Sequence, residues 1–170
     1  MKKLFALVIA ASMMSGLYAL SFGLGARYTI GYPGALADST FSYPSIVADV
    51  MCKPLPIVGL RIGLIQFDMI PDEEGGSKYE FATGANAAVL VYIPMAGMVN
   101  PYIPFYFSYS GNGGSTILLD AGLGAEFGFG GVNGYLEGGI NLWNASPEGL
   151  DSNSETWFHV QGGVRIPVNV

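Results

Sequence analysis

An alternation with a period of two residues runs through this chain from residue 20 to its last residue. In residues 21–32, one parity carries Phe22, Leu24, Ala26, Tyr28, Ile30 and Tyr32, and the other carries Gly23, Gly25, Arg27, Thr29 and Gly31. Successive side chains of a strand point to opposite faces, whereas a helix would scatter both sets around its circumference. The pattern therefore predicts strands with one apolar face and one face of small or polar residues.

The same alternation divides the chain into an even number of candidate strands. They are residues 20–32, 45–53, 58–70, 79–93, 99–110, 115–129, 134–143 and 156–170. Most are as long as the roughly 9 to 11 residues that a tilted strand needs to cross a bilayer. Long polar connections (33–44, 71–78 and 144–155) alternate with short ones (54–57, 94–98 and 130–133), and 111–114 is a short exception. We therefore predict an all-β fold, an eight-stranded antiparallel up-and-down transmembrane barrel with its termini on the periplasmic side.

The first residues are typical of a cleavable signal peptide. Met1, Lys2 and Lys3 form a basic start, residues 4–14 are apolar, and residues 15–19 are mostly small. We expect residues 1–19 to be the signal peptide, with cleavage after Ser21 as the alternative, and residues 20–170 to form one barrel domain. The apolar stretch is shorter than the roughly 20 residues of a spanning helix. Cys52 is the only cysteine, so it cannot form an internal disulfide.

The charge and the mean hydropathy of the chain further limit the class of protein to which it can belong. The chain has 7 basic and 13 acidic residues and a net charge of −6, which excludes a basic patch for nucleic acid. Its mean hydropathy of +0.41 is high for an acidic soluble protein. A transmembrane barrel resolves this conflict, because it spreads apolar surface over every second residue. Seven acids fall in the long loops, which predicts a negative outer mouth: Asp38, Asp72, Glu73, Glu74, Glu148, Asp151 and Glu155.

Charged residues on the inward parity need partners, because a buried unpaired charge is costly. An eight-stranded barrel is only wide enough for its own side chains to fill. We therefore expect a packed ionic network and a plugged lumen. The predicted members are Arg27, Asp49, Arg61, Glu80, Asp120, Glu126, Glu137, His159 and Arg165, accompanied by Lys53, Asn86, Asn141 and Gln161.

No residue pattern points to catalysis or to a cofactor. His159 is the sole histidine, which excludes a multi-histidine metal site, and Gln161 stands where a lipid A deacylase of this size has serine. Glu126 and Glu137 could serve as an acid–base pair, but salt bridges to arginine explain them more simply. The acidic loop 71–76 lacks EF-hand spacing. We predict no catalytic, cofactor-binding or metal-binding residue.

Two local segments carry a resemblance to a known family. Asn100-Pro101-Tyr102-Ile103-Pro104 is similar to the proline–tyrosine start of a strand leaving a periplasmic turn, and residues 163–170 resemble the alternating C-terminal signal of outer-membrane barrels. The chain thus resembles the small eight-stranded outer-membrane barrels, the group of the OmpA transmembrane domain, OmpX and OmpW. The resemblance implies a diderm outer membrane, surrounding lipid and insertion by the barrel assembly machinery. The final Val170, where these proteins usually have phenylalanine, weakens a proteobacterial assignment.

Three functional hypotheses follow. The first is a non-enzymatic envelope barrel whose acidic extracellular loops contact a host or surface ligand. The second is a narrow porin-like transporter of small hydrophobic molecules, with Tyr102, Trp143 and Trp157 in the lumen, as resemblance to OmpW implies. The third is a soluble periplasmic ligand-binding barrel with reversed faces, which would place Arg27, Arg61, Glu126 and Arg165 outside.

Overall fold

A computed structural model describes residues 19–31, 41–72, 76–82, 85–95, 97–111, 114–147 and 152–168. The expected signal peptide lies outside these residues except for Ala19, which begins the first strand. The strands are β1 (Ala19–Gly31), β2 (Phe41–Leu55), β3 (Val58–Pro71), β4 (Ser77–Phe81), β5 (Ala85–Tyr92), β6 (Val99–Ser110), β7 (Gly114–Gly128), β8 (Asn133–Pro147) and β9 (Asn153–Val168). No helix in the described segments is long and apolar enough to cross a membrane.

Antiparallel pairing closes these strands into a barrel. β1 pairs with both β2 and β9, β2 also pairs with β3, and the remaining strands follow in chain order. β4 and β5 share one position, because β5 pairs with residues 58–62 of β3 and β4 pairs with residues 67–71. The strand segments therefore fill eight barrel positions, and the predicted eight-stranded antiparallel barrel is confirmed. The prediction of one continuous strand over 79–93 was wrong, since that segment is interrupted.

A bulge in β3 changes which of its side chains face inward. Ala48 pairs with Ile65 and the next residue, Asp49, pairs with Gly63, so Leu64 is an extra residue on β3. Leu64 and Ile65 both lie exposed on the outer face. An extra residue of this kind shifts the alternation by one. Asp68 is consequently buried on the inside, although the alternation that places Arg61 inside would place residue 68 outside.

The apolar parity points outward along the barrel. Leu24 and Leu123 are 58% and 69% exposed, whereas Glu126 and Arg165 are 1% and 0% exposed. This arrangement is the reverse of a lipocalin-like soluble barrel, which encloses its apolar residues. A small apolar cluster also lies inside: Met51, Ala88, Leu90, Tyr92, Tyr102 and Tyr106.

The two ends of the barrel differ. The start of β1, the end of β9 and the connections after β2, β5 and β7 lie at one end, which we call the turn end. The connections after β1, β3, β6 and β8 lie at the opposite end, the loop end. β2 begins at Phe41 and β8 extends to Pro147, so strand pairing continues into the predicted loops 33–44 and 144–155. Pro101 and Pro104 lie in the first half of β6, close to the turn end.

Candidate functional site

The inner face of the barrel is polar and tightly packed. A methyl group at Gly124 would lie 2.5 Å from the Tyr102 ring and 2.9 Å from Cγ of Glu137, so this glycine makes room for both side chains. Close packing of this kind leaves no space for an added carbon without a shift of neighbours. The buried polar and charged residues are Ser21, Arg27, Thr29, Ser45, Asp49, Arg61, Asp68, Asp120, Glu126, Glu137, Asn141, Glu155, His159, Gln161 and Arg165.

Near the turn end, two cations share one carboxylate. Arg165 Nη1 donates to Glu126 Oε1 at 2.8 Å, and Lys53 Nζ donates to Glu126 Oε2 at 2.7 Å. Arg165 Nε also lies 3.5 Å from Asp49 Oδ1. The Arg165 guanidinium stacks over the Tyr135 ring at 4.2 Å, which adds a cation–π contact to its ion pairs. β7 and β9 therefore meet across the lumen through charge-assisted hydrogen bonds.

At the centre, Arg61 and Glu137 form a bidentate pair. Arg61 Nη1 and Nη2 donate to Glu137 Oε1 and Oε2 at 2.5 and 2.9 Å. The Tyr102 hydroxyl donates to the same Oε1 at 2.5 Å. Arg165 Nη2 lies 4.0 Å from that oxygen and links this pair to the turn-end cluster. Fork-shaped pairing with a further hydrogen bond to the carboxylate is a geometry in which a buried ion pair offsets much of its desolvation cost.

Toward the loop end lies a third group. Arg27 Nη2 lies 3.2 Å from Asp120 Oδ2 and 3.3 Å from Asn141 Oδ1. His159 Nδ1 lies 3.0 Å from the same Asp120 oxygen. The guanidinium groups of Arg27 and Arg61 approach the Tyr106 ring to 5.7 and 4.5 Å. Tyr106 thus connects this group to the central pair, and polar contacts follow one another along the lumen.

The structure brings together all of the site residues predicted from the sequence except one. Glu80 lies in β4 near the loop end, is partly exposed and pairs with Lys78. It is apart from the lumen contacts because β4 pairs with the last residues of β3. Sequence reasoning missed Gln66 and Asp68, whose side chains hydrogen-bond at 2.9 Å. The adjacent apolar residues Leu64 and Ile65, which interrupt the alternation, are the signal that could have found them.

Two tryptophans lie stacked near the loop end of the lumen. Trp143 and Trp157 stack with ring centroids 5.3 Å apart and nearly parallel planes. Trp157 Nε1 donates to Glu155 Oε2 at 2.9 Å. Both rings are half-buried on the inward parity of β8 and β9. Aromatic side chains with a bonded polar edge suit a position between a packed interior and water.

Glu126 and Glu137, the carboxylates that could act as an acid–base pair, are each bound to cations. Among the described residues, no three His, Cys, Asp or Glu side chains are grouped to hold a metal ion. The contacts instead join opposite walls of the barrel. The arrangement links strands through ion pairs and hydrogen bonds across the interior.

Comparison with known proteins supports the fold. No protein-family model matches the sequence. No curated protein matches it either. Among solved structures, the chain is similar to the crystal structure of Neisserial surface protein A, with a TM-score of 0.55 and 13% sequence identity over 91% of this chain and 98% of that chain. That protein is a small eight-stranded outer-membrane barrel. At this identity the likeness shows a shared fold, an eight-stranded antiparallel closed barrel.

Proposed function

We propose that this protein is a non-enzymatic outer-membrane β-barrel that contributes to the structure of the envelope. The observation that carries the proposal is the direction of the apolar face. Outward residues such as Leu24 and Leu123 are exposed around the closed wall, while Arg165 and Glu126 are enclosed. An unpaired apolar exterior of this extent is unfavourable in water and is the surface that lipid covers.

Aromatic side chains support a membrane position. Tyr28, Tyr79, Phe81 and Phe158 are exposed on the outer face in the half of the barrel near the loop end. Phe22 and Phe129 are exposed near the turn end. Aromatic girdles at both interfaces and an aliphatic band between them are typical of outer-membrane barrels. Membrane lipid and, during insertion, the barrel assembly machinery are the partners that this surface implies.

The lumen contacts support a plugged barrel in preference to a transporter. Arg61 with Glu137, Arg165 with Glu126 and Arg27 with Asp120 join opposite walls at three levels. A solute that passed through the lumen would have to separate these buried ion pairs. Breaking a buried ion pair costs about 3–5 kcal/mol. The proposed interior role is therefore mechanical, to hold the strands together.

The loop end supports a role in surface contact. Asp72 is exposed there and Glu155 lies near the start of β9, and in the sequence five further acids, which lie outside the described residues, fall in the predicted loops 33–44, 71–78 and 144–155. A concentration of one sign of charge raises the local concentration of oppositely charged partners and speeds their encounter. A host or surface ligand of this protein would therefore present a basic patch. Such an interaction should weaken as salt rises.

Fractionation and gel mobility test the proposal together. We expect the protein in the outer-membrane fraction and not in a detergent-free periplasmic extract. On a gel, an unheated sample should migrate differently from a boiled one, because a closed barrel resists unfolding by detergent. Recovery in the periplasmic extract, or one mobility under both conditions in the membrane fraction, would contradict the proposal.

A further inference from the structure

The three connections at the turn end are apolar. Residues 54–57, 93–98 and 129–132 consist of aliphatic residues, methionine, phenylalanine, proline and glycine, without a charged, amide or hydroxyl side chain. Turns that face water usually carry Asn, Asp or Ser beside glycine and proline. Six large side chains of these connections are 45% to 75% exposed: Leu55, Ile57, Ile93, Met95, Met98 and Phe129. Together they form an apolar surface that water would leave uncovered.

In two connections, the first exposed side chain lies on the outer wall. Leu55 pairs with Val58, and Val58 pairs with the outward residue Val91. Directly paired residues share a face of the sheet, so Leu55 also faces outward. Ile93 continues the outward parity of Val91, and its backbone N still donates to the Pro101 carbonyl at 2.9 Å. Both connections therefore begin with a side chain that continues the outer apolar wall.

The third connection folds an aromatic ring back onto the same wall. The Phe129 ring fills the space where a methyl group on Gly134 would lie, with its nearest carbon 2.9 Å from that position. Gly134 pairs with Phe127 and Val164, and Val164 is exposed on the outer face. The Phe129 ring therefore lies against the outer wall and does not point along the barrel axis.

The outer face ends differently at the two ends of the barrel. Toward the loop end it becomes polar, where Asn144 Nδ2 donates to Ser154 Oγ at 2.7 Å and Ser42 Oγ accepts from a tyrosine hydroxyl at 2.8 Å. At the turn end it stays apolar to the last pair of β6 and β7, Val99 with Phe127. The described outer wall therefore has a hydrogen-bonding rim at the loop end, and its apolar surface passes into the connections at the turn end.

We propose that the turn end is a lipid-docking surface whose connections lie in the interfacial layer of the periplasmic leaflet. The connections follow β2, β5 and β7, so their apolar side chains are spread around the rim. A protein cap would have to reach all three places, whereas lipid meets them all because they continue the lipid-facing wall. Apolar side chains of interfacial segments sink about 5–10 Å into the boundary between headgroups and acyl chains. The inference rests on the membrane position proposed above.

Fluorescence quenching tests the depth of the turn end in the full chain. Cys52→Ala removes the native thiol, and Met98→Cys, Leu123→Cys or Asp72→Cys then carries a thiol-linked fluorophore. Leu123 is the control for the lipid-facing wall, and Asp72 is the control for exposure at the loop end. Each labelled barrel is placed in lipid nanodiscs, which leave both membrane faces open to iodide in the water. A lipid with a spin label near the glycerol end of its acyl chain is the quencher inside the membrane.

We expect the label at position 98 to be quenched by the spin-labelled lipid and to be severalfold less sensitive to iodide than the label at position 72. The result should be the same in neutral and in partly anionic lipid, because the connections carry no charge. Leu55→Cys repeats the measurement at another connection, and heat-dependent gel mobility establishes beforehand that each labelled variant is a closed barrel. Equal iodide quenching at positions 98 and 72, with position 123 protected, would overturn the lipid-docking surface and leave the membrane barrel intact. Iodide quenching at position 123 as well would overturn both.

Discussion

At the scale of single residues, the charged side chains that are most completely buried in the lumen have partners of opposite charge. Arg61 is almost completely enclosed, yet it has a bidentate partner in Glu137 and an aromatic ring beside it in Tyr106. Glu137 in turn accepts from Tyr102. Such a pair adds little to stability when compared with apolar residues, but removal of one partner leaves an uncompensated charge. The contribution of this ion pair to stability is therefore best tested by substituting one of its two residues.

Arg61→Ala should lower barrel stability strongly. The variant leaves the Glu137 carboxylate without its bidentate partner, and loss of one partner of a buried pair costs about 3–5 kcal/mol. The measurement is the denaturant midpoint of unfolding in detergent. Lys78→Ala is the matched control, because it also removes a cation from an ion pair, but an exposed one with Glu80. An equal midpoint for the Arg61 variant and the parent would contradict a structural role for the network.

Gly124→Ala should destabilise the barrel, although alanine usually suits a strand better than glycine. The added methyl group meets the Tyr102 ring at 2.5 Å, and overpacking of this kind costs about 1–3 kcal/mol. Gly138→Ala is a matched control in the facing strand, where the nearest atom is a backbone oxygen at 3.6 Å. We expect only the first variant to lower the unfolding midpoint. Equal midpoints would mean that the lumen is looser than these distances indicate.

At the scale of one element, β7 displays the inside-out pattern along its whole length. Its outward residues include Ile117, Leu119 and Leu123, and its inward residues include the buried Asp120 and Glu126. The outward residues of this one strand therefore lie at successive positions along the barrel axis. This makes the outward face of β7 suitable for a depth scan with one substituent.

Arginine placed on the outward face of β7 should cost most near the middle of the strand. In lipid, the cost is about 2–4 kcal/mol at the midplane and about 0–1 kcal/mol at the interfaces. We expect Leu123→Arg to lower the unfolding midpoint in bilayers much more than Ile117→Arg, which lies closer to the loop end. If both arginine variants lowered the unfolding midpoint equally, the result would contradict contact between the outer face and lipid.

The strands also differ in how much of their structure could be predicted from the sequence. The faces of β1 and β7 were predictable, because their alternation is uninterrupted and carries glycine or charge on one parity. The inward position of Asp68 does not follow from strict alternation, because a one-residue bulge reverses parity; the adjacent apolar residues Leu64 and Ile65 are its only local signal, and the register itself depends on pairing with β2. Glu80 has the inward parity, but its distance from the lumen depends on where β4 separates from β5, which alternation does not encode.

At the scale of the whole molecule, closure gives every described strand segment except β4 hydrogen-bonded neighbours on both sides, whereas β4 pairs with β3 alone in the described residues. β1 bonds to β2 and β9, and β2 bonds to β3, so the barrel has no free edge at these positions. Closure also fixes the internal width, and the paired side chains then span from wall to wall. The absence of a free edge and the cross-bracing are two consequences of the same geometry. Both favour resistance to detergent unfolding.

Planar-bilayer recording tests whether the braced interior conducts ions. We expect no reproducible single-channel steps from the parent protein, because ion pairs cross the narrow interior of an eight-stranded barrel at three levels. The double variant Arg61→Ala with Glu137→Ala removes both charges of the central pair and leaves space in their place, so we expect it to show small steps or leak. Regular steps from the parent would support a narrow transporter instead. If the double variant also showed no channel steps, the remaining clusters around Arg165 and Arg27 would be sufficient to block ion passage.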